Sequence, residues 1–481
     1  MPEFLVFFVH RHFDFRYPEL EAILTLQGLS LRDIVDDIKA LPNPEESPLL
    51  QIRLPSADHA KFLSERGILV KGVYEVWGHT LGGEYDALVQ AVDKFDAPQK
   101  HAIIKDEACS WRVSVDAFGK KLTMEEQHER RNKFEDVLPF AGPVLMRDAQ
   151  ETFLILEEVG MAGPQSPPKQ IFFLRELAGS EKNRGRGGAR DLVDQQTLKK
   201  RAYIGPTSME SEMALLMANM ALVQRNDLVI DPFVGTGSVL VPCATHGAIC
   251  FGTDIDIRVL LGTGVGVSGA GAATDQEAAR INVLSNFRQY NLPLPELIRG
   301  DNSISPIMTK CANYFDAVVC DPPYGIRAGA RRSGRKRPKE IIELKHKKES
   351  YIPPTQPYAA EDVMNDLLTF AAHTLREGGR LVYLLPTTYE YTDNDLPRHP
   401  SLHVISNSEQ KLTKKYARRL ITMIKQTTGE PPMSLHEAMG QAPVAATEAN
   451  GGDASYANLR EKIKNKKQKT EDEPEAMQES S

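Results

Sequence analysis

The sequence contains no CxxC spacing. Its five cysteines, Cys109, Cys243, Cys250, Cys311 and Cys320, are scattered, so neither a zinc site nor a disulfide framework is indicated. Odd, scattered thiols fit a reducing compartment, cytosol or nucleus, and a cytoplasmic location is the expectation. Long apolar runs are also missing. After Met1-Pro2-Glu3 the apolar stretch is only about six residues, too short for the core of a signal peptide, and no later stretch is long enough to span a membrane. Phe4 to Val9 reads instead as a core strand. The glycine-rich segment at 231–238 has no Lys-Ser or Lys-Thr after its glycines, which excludes a triphosphate-binding loop. An overall excess of positive charge is absent too, because the formal net charge is −7. What is present is a chain of 481 residues, 41% of them hydrophobic, enough for a sizeable core and two or three domains.

The most informative segment is Asp321-Pro322-Pro323-Tyr324-Gly325, which follows the apolar run Phe315 to Cys320. That run reads as a buried strand. Neither proline can donate to a sheet ladder, so the chain leaves the sheet at Asp321 as a rigid, extended turn. A carboxylate, proline carbonyls and a phenol ring are thereby presented at the carboxyl end of a strand, where open α/β sheets bind ligands. A planar amino group can donate both hydrogens to Asp321 and the Pro322 carbonyl while Tyr324 stacks on the ring that carries it. A plain strand-ending turn is the bland alternative.

About ninety residues upstream, Asp231-Pro232-Phe233-Val234-Gly235-Thr236-Gly237-Ser238 lies between the short strand Asp227 to Ile230 and an apolar helical run from Val239. Strand, glycine turn, helix is the arrangement in which backbone closely approaches a cofactor. Asp231, in place of a cation, suits a cationic ligand. A second apolar segment, Ala248 to Thr253, ends in Asp254, with Asp256 two residues on. An acid at that distance commonly takes ribose hydroxyls, in nicotinamide-type folds as well. Gly264-Val265-Gly266-Val267-Ser268-Gly269 matches a dinucleotide pattern on paper, but no acid follows at the right distance, and it reads as a loop. His10, His12 and His373 are isolated and read as surface or core residues rather than ligands.

Charge is unevenly spread. Residues 325–350 hold ten Lys/Arg against three Glu, 411–425 hold six and no acid, and 182–201 hold seven against two Asp. The first block directly follows the Asp-Pro-Pro-Tyr turn and includes Arg327, Arg331, Arg332, Arg335, Lys336 and Arg337. A solvated loop is the default for such a run, but this one stands where a phosphate backbone would pass, so these residues are the expected RNA contacts.

Together these segments resemble class I S-adenosylmethionine-dependent methyltransferases, in particular the amino-methylating branch with its Asp/Asn-Pro-Pro-Tyr signature. With Arg201-Ala202-Tyr203-Ile204-Gly205-Pro206-Thr207-Ser208-Met209 added, the chain is similar to the THUMP-containing tRNA guanine-N2 methyltransferases, specifically the eukaryotic catalytic subunit acting on guanosine 10. The motifs run from about 190 to 386, and the N-terminal part resembles the family only in pattern. The resemblance implies an α/β fold, a Rossmann-like methyltransferase domain preceded by an α+β THUMP-containing RNA-binding region, with S-adenosylmethionine as cofactor and no metal in this chain. It implies that the turn from Asp231 through Phe233 and Gly235 to Gly237 cradles the methionine end and sulfonium. It further implies that Asp254, with Asp256 beside it, binds the ribose, and that Asp301 lies by the adenine. Thr207 and Ser208 would sit near the cofactor carboxylate. They would also cap a helix beginning at Met209, a role that Glu210, three residues after Thr207, supports as a capping box. Asp321, Pro322, Pro323 and Tyr324 would hold the target amine; either Asp321 or water takes its proton. The partners implied are tRNA and, in a heterodimer, a small zinc-binding activator protein. For that activator the strand Glu296 to Arg299 offers an expected sheet edge guarded by few charges.

The chain divides on this reading into an N-terminal region, 1–178, a Gly/Arg-rich linker, 179–200, the methyltransferase domain, 201–426, and a tail, 427–481, too poor in apolar residues to order itself. Gly67 to Val70 and Trp111 to Val115 read as strands, and Met161 to Pro168 as a loop or linker before a strand resumes at Gln170. Other functions remain open from the residues alone: an amino methyltransferase acting on DNA adenine, rRNA guanine or a protein glutamine, a non-catalytic RNA-binding scaffold, or a nucleotide-dependent oxidoreductase. The Asp-Pro-Pro-Tyr turn argues against the last two.

Overall fold

The computed structural model describes residues 1–163, 166–179, 189–263, 267–268, 281–308, 310–323, 329–334, 354–430, 432–441 and 456. The chain forms two compact units, Met1–Leu192 and Val193–Ser481.

The N-terminal unit is built on a six-stranded sheet of β1 (Glu3–Phe8), β2 (Leu49–Arg53), β3 (Val70–Leu81), β4 (Trp111–Phe118), β5 (Glu151–Glu158) and β6 (Gln170–Gly179), in the order β2-β1-β3-β6-β5-β4. All neighbours are antiparallel except β4 and β5. Side chains alternate across β6. Ile171 and Phe173 join Trp77, Leu88 and Phe153 on one face, while Phe172 and Leu174 join Leu5, Phe7 and Leu49 on the other. Both faces are therefore covered, as the apolar runs demand. The strand expected from Gly67 begins only at Val70, because the buried Glu19 carboxylate captures the amides of Ile68 and Leu69 at 2.8 and 2.9 Å. Met161–Pro168 falls in the connection between β5 and β6, which pair antiparallel up to Glu158–Gln170. The segment expected as a loop or linker thus connects two paired strands of this unit.

The second unit carries a small antiparallel pair, β7 (Tyr203–Ile204) with β10 (Val267–Ser268), and a seven-stranded sheet. The Val267–Ser268 part of the glycine-rich decoy thus pairs with the segment before Gly205, and its glycines lie outside the described residues. In chain order the large sheet consists of β8 (Leu228–Asp231), β9 (Ile249–Asp254), β11 (Glu296–Arg299), β12 (Phe315–Cys320), β15 (Leu375–Thr388), β16 (Leu402–Lys411) and β17 (Tyr416–Lys425). A separate two-stranded piece joins β13 (Arg331–Ser333) to β14 (Thr355–Pro357). The order across the large sheet is β11-β9-β8-β12-β15-β17-β16, parallel through β15, with β17 antiparallel between β15 and β16. Chain order reverses between β8 and β12, the switch point where ligands bind in open α/β sheets. Val318, Val319 and Cys320 are fully buried, as expected of a central parallel strand covered on both faces. Among the described residues β11 lies at the sheet edge expected for it, paired only with β9.

Part of the segment expected to be an unordered tail is placed. Leu435–Ala438 forms a helical turn capped by Ser434 and Glu437, with Leu435 buried, and Tyr456 joins the core around Tyr383, Tyr391 and Leu396. The local capping box and one buried leucine suffice for that turn. Most of the remaining tail, and residues 180–188 of the expected linker, lie outside the described residues.

Candidate active site

The carboxyl ends of β8, β9, β11 and β12 open on one cavity of about 730 Å³ in the second unit. Local sequence explains why functional groups gather there. Each strand is a short apolar run stopped by a residue that cannot prolong it: Asp231-Pro232, Asp254, Gly300-Asp301 and Asp321-Pro322. Parallel pairing then brings all the stops to the same edge.

Asp231 is 1% exposed and accepts the Phe233 amide at 2.9 Å. Burial holds its carboxyl well above the usual carboxylate range, and the nearby Asp254 and Asp321 charges push the same way. Burial likewise raises Asp254, although it accepts backbone donors from Gly235 at 3.0 Å and Asp256 at 2.8 Å. The cavity floor is thus a cluster of acids whose charge calls for a cation. Beneath it Cys320 is fully buried, which pushes its thiol far up and leaves it an inert core residue.

The two glycines of the turn separate in role. At Gly235, φ +50°, an added Cβ would meet nothing nearer than the Phe233 carbonyl at 3.9 Å, so its face is open and it lines the cavity. At Gly237, φ +79°, a Cβ would lie 2.9 Å from Val283 and 3.2 Å from Phe287. Gly237 is required by packing against Val283 and Phe287 and is not among the lining residues.

One expectation is corrected outright. Thr207 and Ser208 do not cap a helix: the helix runs Ser211–Met220 with Glu210 at its cap position. Ser208 Oγ accepts the Gly205 amide at 2.8 Å and bonds Thr236 Oγ1 at 2.7 Å, which draws it to the glycine turn. Both residues still line the cavity. Asp301 is not among the lining residues, although Gly300 and Asn302 on either side of it are. Burial opposes its charge, but donors from Ser333 and Ser303 outweigh that and hold its carboxyl below the usual range. Its neighbour Asn302 lines the cavity, with both amide atoms buried and without a hydrogen-bond partner among the described residues. Asp256 lines the cavity but caps the helix Ile257–Leu261 and pairs with Arg258 at 2.7 Å, whose hydrogen bond lowers its pKa.

Asp321, Pro322 and Pro323 line the same cavity beside Asp231 and Phe233; Tyr324 lies outside the described residues, as do Arg327, Arg335, Lys336 and Arg337. Arg331 reaches the cavity wall, its Nη2 donating to the Thr355 carbonyl at 2.9 Å. Arg332 is engaged within the unit, 3.7 Å from Asp362 and over the Tyr358 ring at 5.7 Å. Sequence reasoning missed Thr236, Ser238 and Asn302. It also missed Leu412, Tyr416 and Arg418 of the β16–β17 hairpin, which close the cavity from the far side. The basic block at 411–425 marked that hairpin as notable, but not as a cavity wall.

Among the described residues no helix is long and apolar enough to cross a membrane, and no group of three His, Cys, Asp or Glu is arranged to hold a metal.

Two family profiles match the chain: the Tmrp11 THUMP N-terminal domain over residues 2–182, and the RMKL-like methyltransferase domain over 199–347. The chain is 36% identical over 431 residues to tRNA (guanine(10)-N(2))-methyltransferase TRMT11 of Homo sapiens, covering 88% of each chain. It is 34% identical over 447 residues to the protein of that name from Dictyostelium discoideum, covering 88% of this chain and 82% of that one. Among solved structures, TrmN from Thermus thermophilus aligns with 88% of this chain and 100% of its own, at 14% identity and a TM-score of 0.41. With the acid-lined switch-point cavity, a THUMP N-terminal unit and relatives matched along 88% of its length, the chain belongs to the tRNA (guanine(10)-N(2))-methyltransferase family.

Proposed function

We propose that this chain transfers the methyl group of S-adenosylmethionine to the exocyclic N2 amine of guanosine 10 in tRNA. Base and position come from the name its relatives carry. The observation that carries the chemistry is the juxtaposition of Asp231 and Asp321 at neighbouring strand ends of one cavity.

The residues fit the cofactor on structural grounds. The buried acid cluster suits a sulfonium and an ammonium, the open face of Gly235 admits close backbone approach, and the Asn302 amide, unpartnered among the described residues, offers a donor and an acceptor to a heterocycle. Asp231 would face the positive charge with Phe233 as apolar wall, Asp254 would take ribose hydroxyls on its remaining lone pairs, and Asn302 would meet the adenine. When bound, the cofactor supplies an electrophilic methyl group. On the substrate side the Asp321 carboxylate and the Pro322 carbonyl accept the two hydrogens of the guanine amine. That amine is a poor nucleophile because its lone pair is delocalised into the ring. Accepting both hydrogens favours a pyramidal nitrogen and aims the lone pair, and fixed positioning supplies much of the remaining rate. Its proton passes to Asp321 or to water. Incubating the chain with unmodified tRNA and S-adenosylmethionine, then mapping nucleosides by mass spectrometry, tests the reading. N2-methylguanosine at position 10 is expected; methylation elsewhere, or none with any added partner, overturns it.

The partner proposed is a small zinc-binding activator protein. Supporting it, among the described residues β11 pairs on one side only, Ile298 on it is exposed, and Leu294 and Leu261 are exposed as well. An open edge of that kind invites strand addition. A soluble, fully active chain expressed without the activator would refute the partnership. None of the five cysteines is joined in a disulfide, which supports a cytoplasmic setting.

A further inference from the structure

Arg201 is fully buried, yet it forms no ion pair with a carboxylate among the described residues. Its Nη2 donates to the Gln196 carbonyl at 3.1 Å and its Nη1 to Ser238 Oγ at 3.0 Å, while the Tyr290 hydroxyl beside it offers a neutral partner and no carboxylate. Burial pushes its pKa below the usual guanidinium value, although the Tyr290 hydroxyl works the other way. A buried charge without a counter-charge is costly, and such groups are normally paired or neutralised.

The guanidinium opens onto a chain of hydroxyls. Ser238 Oγ stands 3.2 Å from Thr236 Oγ1, which stands 2.7 Å from Ser208 Oγ, which accepts the Gly205 amide at 2.8 Å. All three hydroxyls line the cavity beneath the glycine turn. Three hydroxyls bring three protons, and the two bonds between them use two. Both ends of the chain already receive a proton, from Arg201 and from Gly205, so one hydroxyl proton is left to donate outside the chain. The array is therefore a donor, polarised by a buried cation, in the same cavity as an acid cluster that suits positive charge.

We propose that Arg201 is a positioning residue that supplies the missing counter-charge for the carboxylate of the bound S-adenosylmethionine, acting through Ser238, Thr236 and Ser208. This rests on the cofactor proposed above. It divides the zwitterionic end of the cofactor between two poles, the ammonium and sulfonium toward the acids and the carboxylate toward the Arg201 array.

The test compares two ligands by calorimetry on the full chain: S-adenosylhomocysteine and its decarboxylated analogue, S-adenosyl-3-thiopropylamine. Wild type should prefer the carboxylated ligand. Arg201→Met should weaken S-adenosylhomocysteine about tenfold, the scale of one charge-assisted hydrogen bond, and leave the analogue's affinity unchanged or improved. Arg201→Lys should keep most of the preference. If Arg201→Met does not fold, Ser238→Ala, which cuts the chain but keeps the cation, should reduce the same preference. Equal losses for both ligands, or no loss for either, would overturn the proposal. A wild type that binds neither ligand would instead overturn the cofactor assignment.

Discussion

The Asp254 carboxylate accepts the Gly235 amide at 3.0 Å, so the end of β9 holds the glycine turn after β8 in place. Its other oxygen takes the Asp256 amide at 2.8 Å. One acid therefore fixes two backbone segments of the cavity and still has lone pairs to offer a ligand.

Asp254→Ala should weaken S-adenosylhomocysteine binding about tenfold or more, since it removes both the ribose acceptor and the support of the turn. Unchanged calorimetric affinity would show that the ribose lies elsewhere.

The two glycines should respond differently to alanine. Gly237→Ala forces a Cβ against Val283 and Phe287 and should cost about 1–3 kcal/mol of stability. Gly235→Ala meets open space and should cost about 1 kcal/mol through its positive φ, while cofactor affinity falls. Thermal melts and calorimetry on both variants separate the effects; the reverse pattern would exchange their roles.

Asp321→Ala should lower the methyl-transfer rate by about two to three orders of magnitude, the scale of losing one positioned hydrogen-bonding group, with cofactor affinity nearly intact. Single-turnover rates check this, and near-normal turnover would remove Asp321 from the chemistry.

Asp231 makes a pH prediction. In the unfolded chain it ionises near 4, but burial holds the folded carboxyl well above that. The folded chain thus binds this proton more tightly. Its favourable contribution is complete below about pH 4 and is lost as pH rises through the raised folded value. Asp231→Asn, whose side-chain oxygen can still accept the Phe233 amide, removes that loss. The melting temperature of the variant should gain on wild type as pH increases from about 5 to 8; a gap that narrows with pH would contradict the burial argument.

The two described arginines after the catalytic turn should separate in tRNA binding. Arg331→Ala should weaken affinity and lower the salt-dependence slope by about one unit if Arg331 meets a phosphate. Arg332→Ala should leave the slope unchanged and lower thermal stability, because Arg332 is held by Asp362 and Tyr358. Equal slopes for wild type and Arg331→Ala would return Arg331 to the cavity wall alone.

Local sequence was enough to find the strands that make the site. Phe315–Cys320 was legible to the residue, and β8 and β9 to within one, because apolar runs ending at Asp-Pro or Gly-Asp state their own boundaries. Capping was less legible. The Thr207–Glu210 spacing satisfied the rule for a capping box, but Ser208 found a better partner in Thr236, twenty-eight residues away in sequence. In the N-terminal unit, Glu19 similarly delayed β3 by taking amides about fifty residues distant.

The sequence by itself determined that acids and glycines would meet at strand ends facing one ligand, since strand period and proline chemistry are local properties. Tertiary structure decided which of them face the cavity. Gly237 turned out to serve Val283 and Phe287, Asp301 to serve Ser303 and Ser333, and Asn302 to take the cavity position. It also decided that Arg201 would be buried without an acid, and that the β16–β17 hairpin would wall the site. Those outcomes depend on packing between segments remote in the chain, where a side chain's role is set by what arrives beside it.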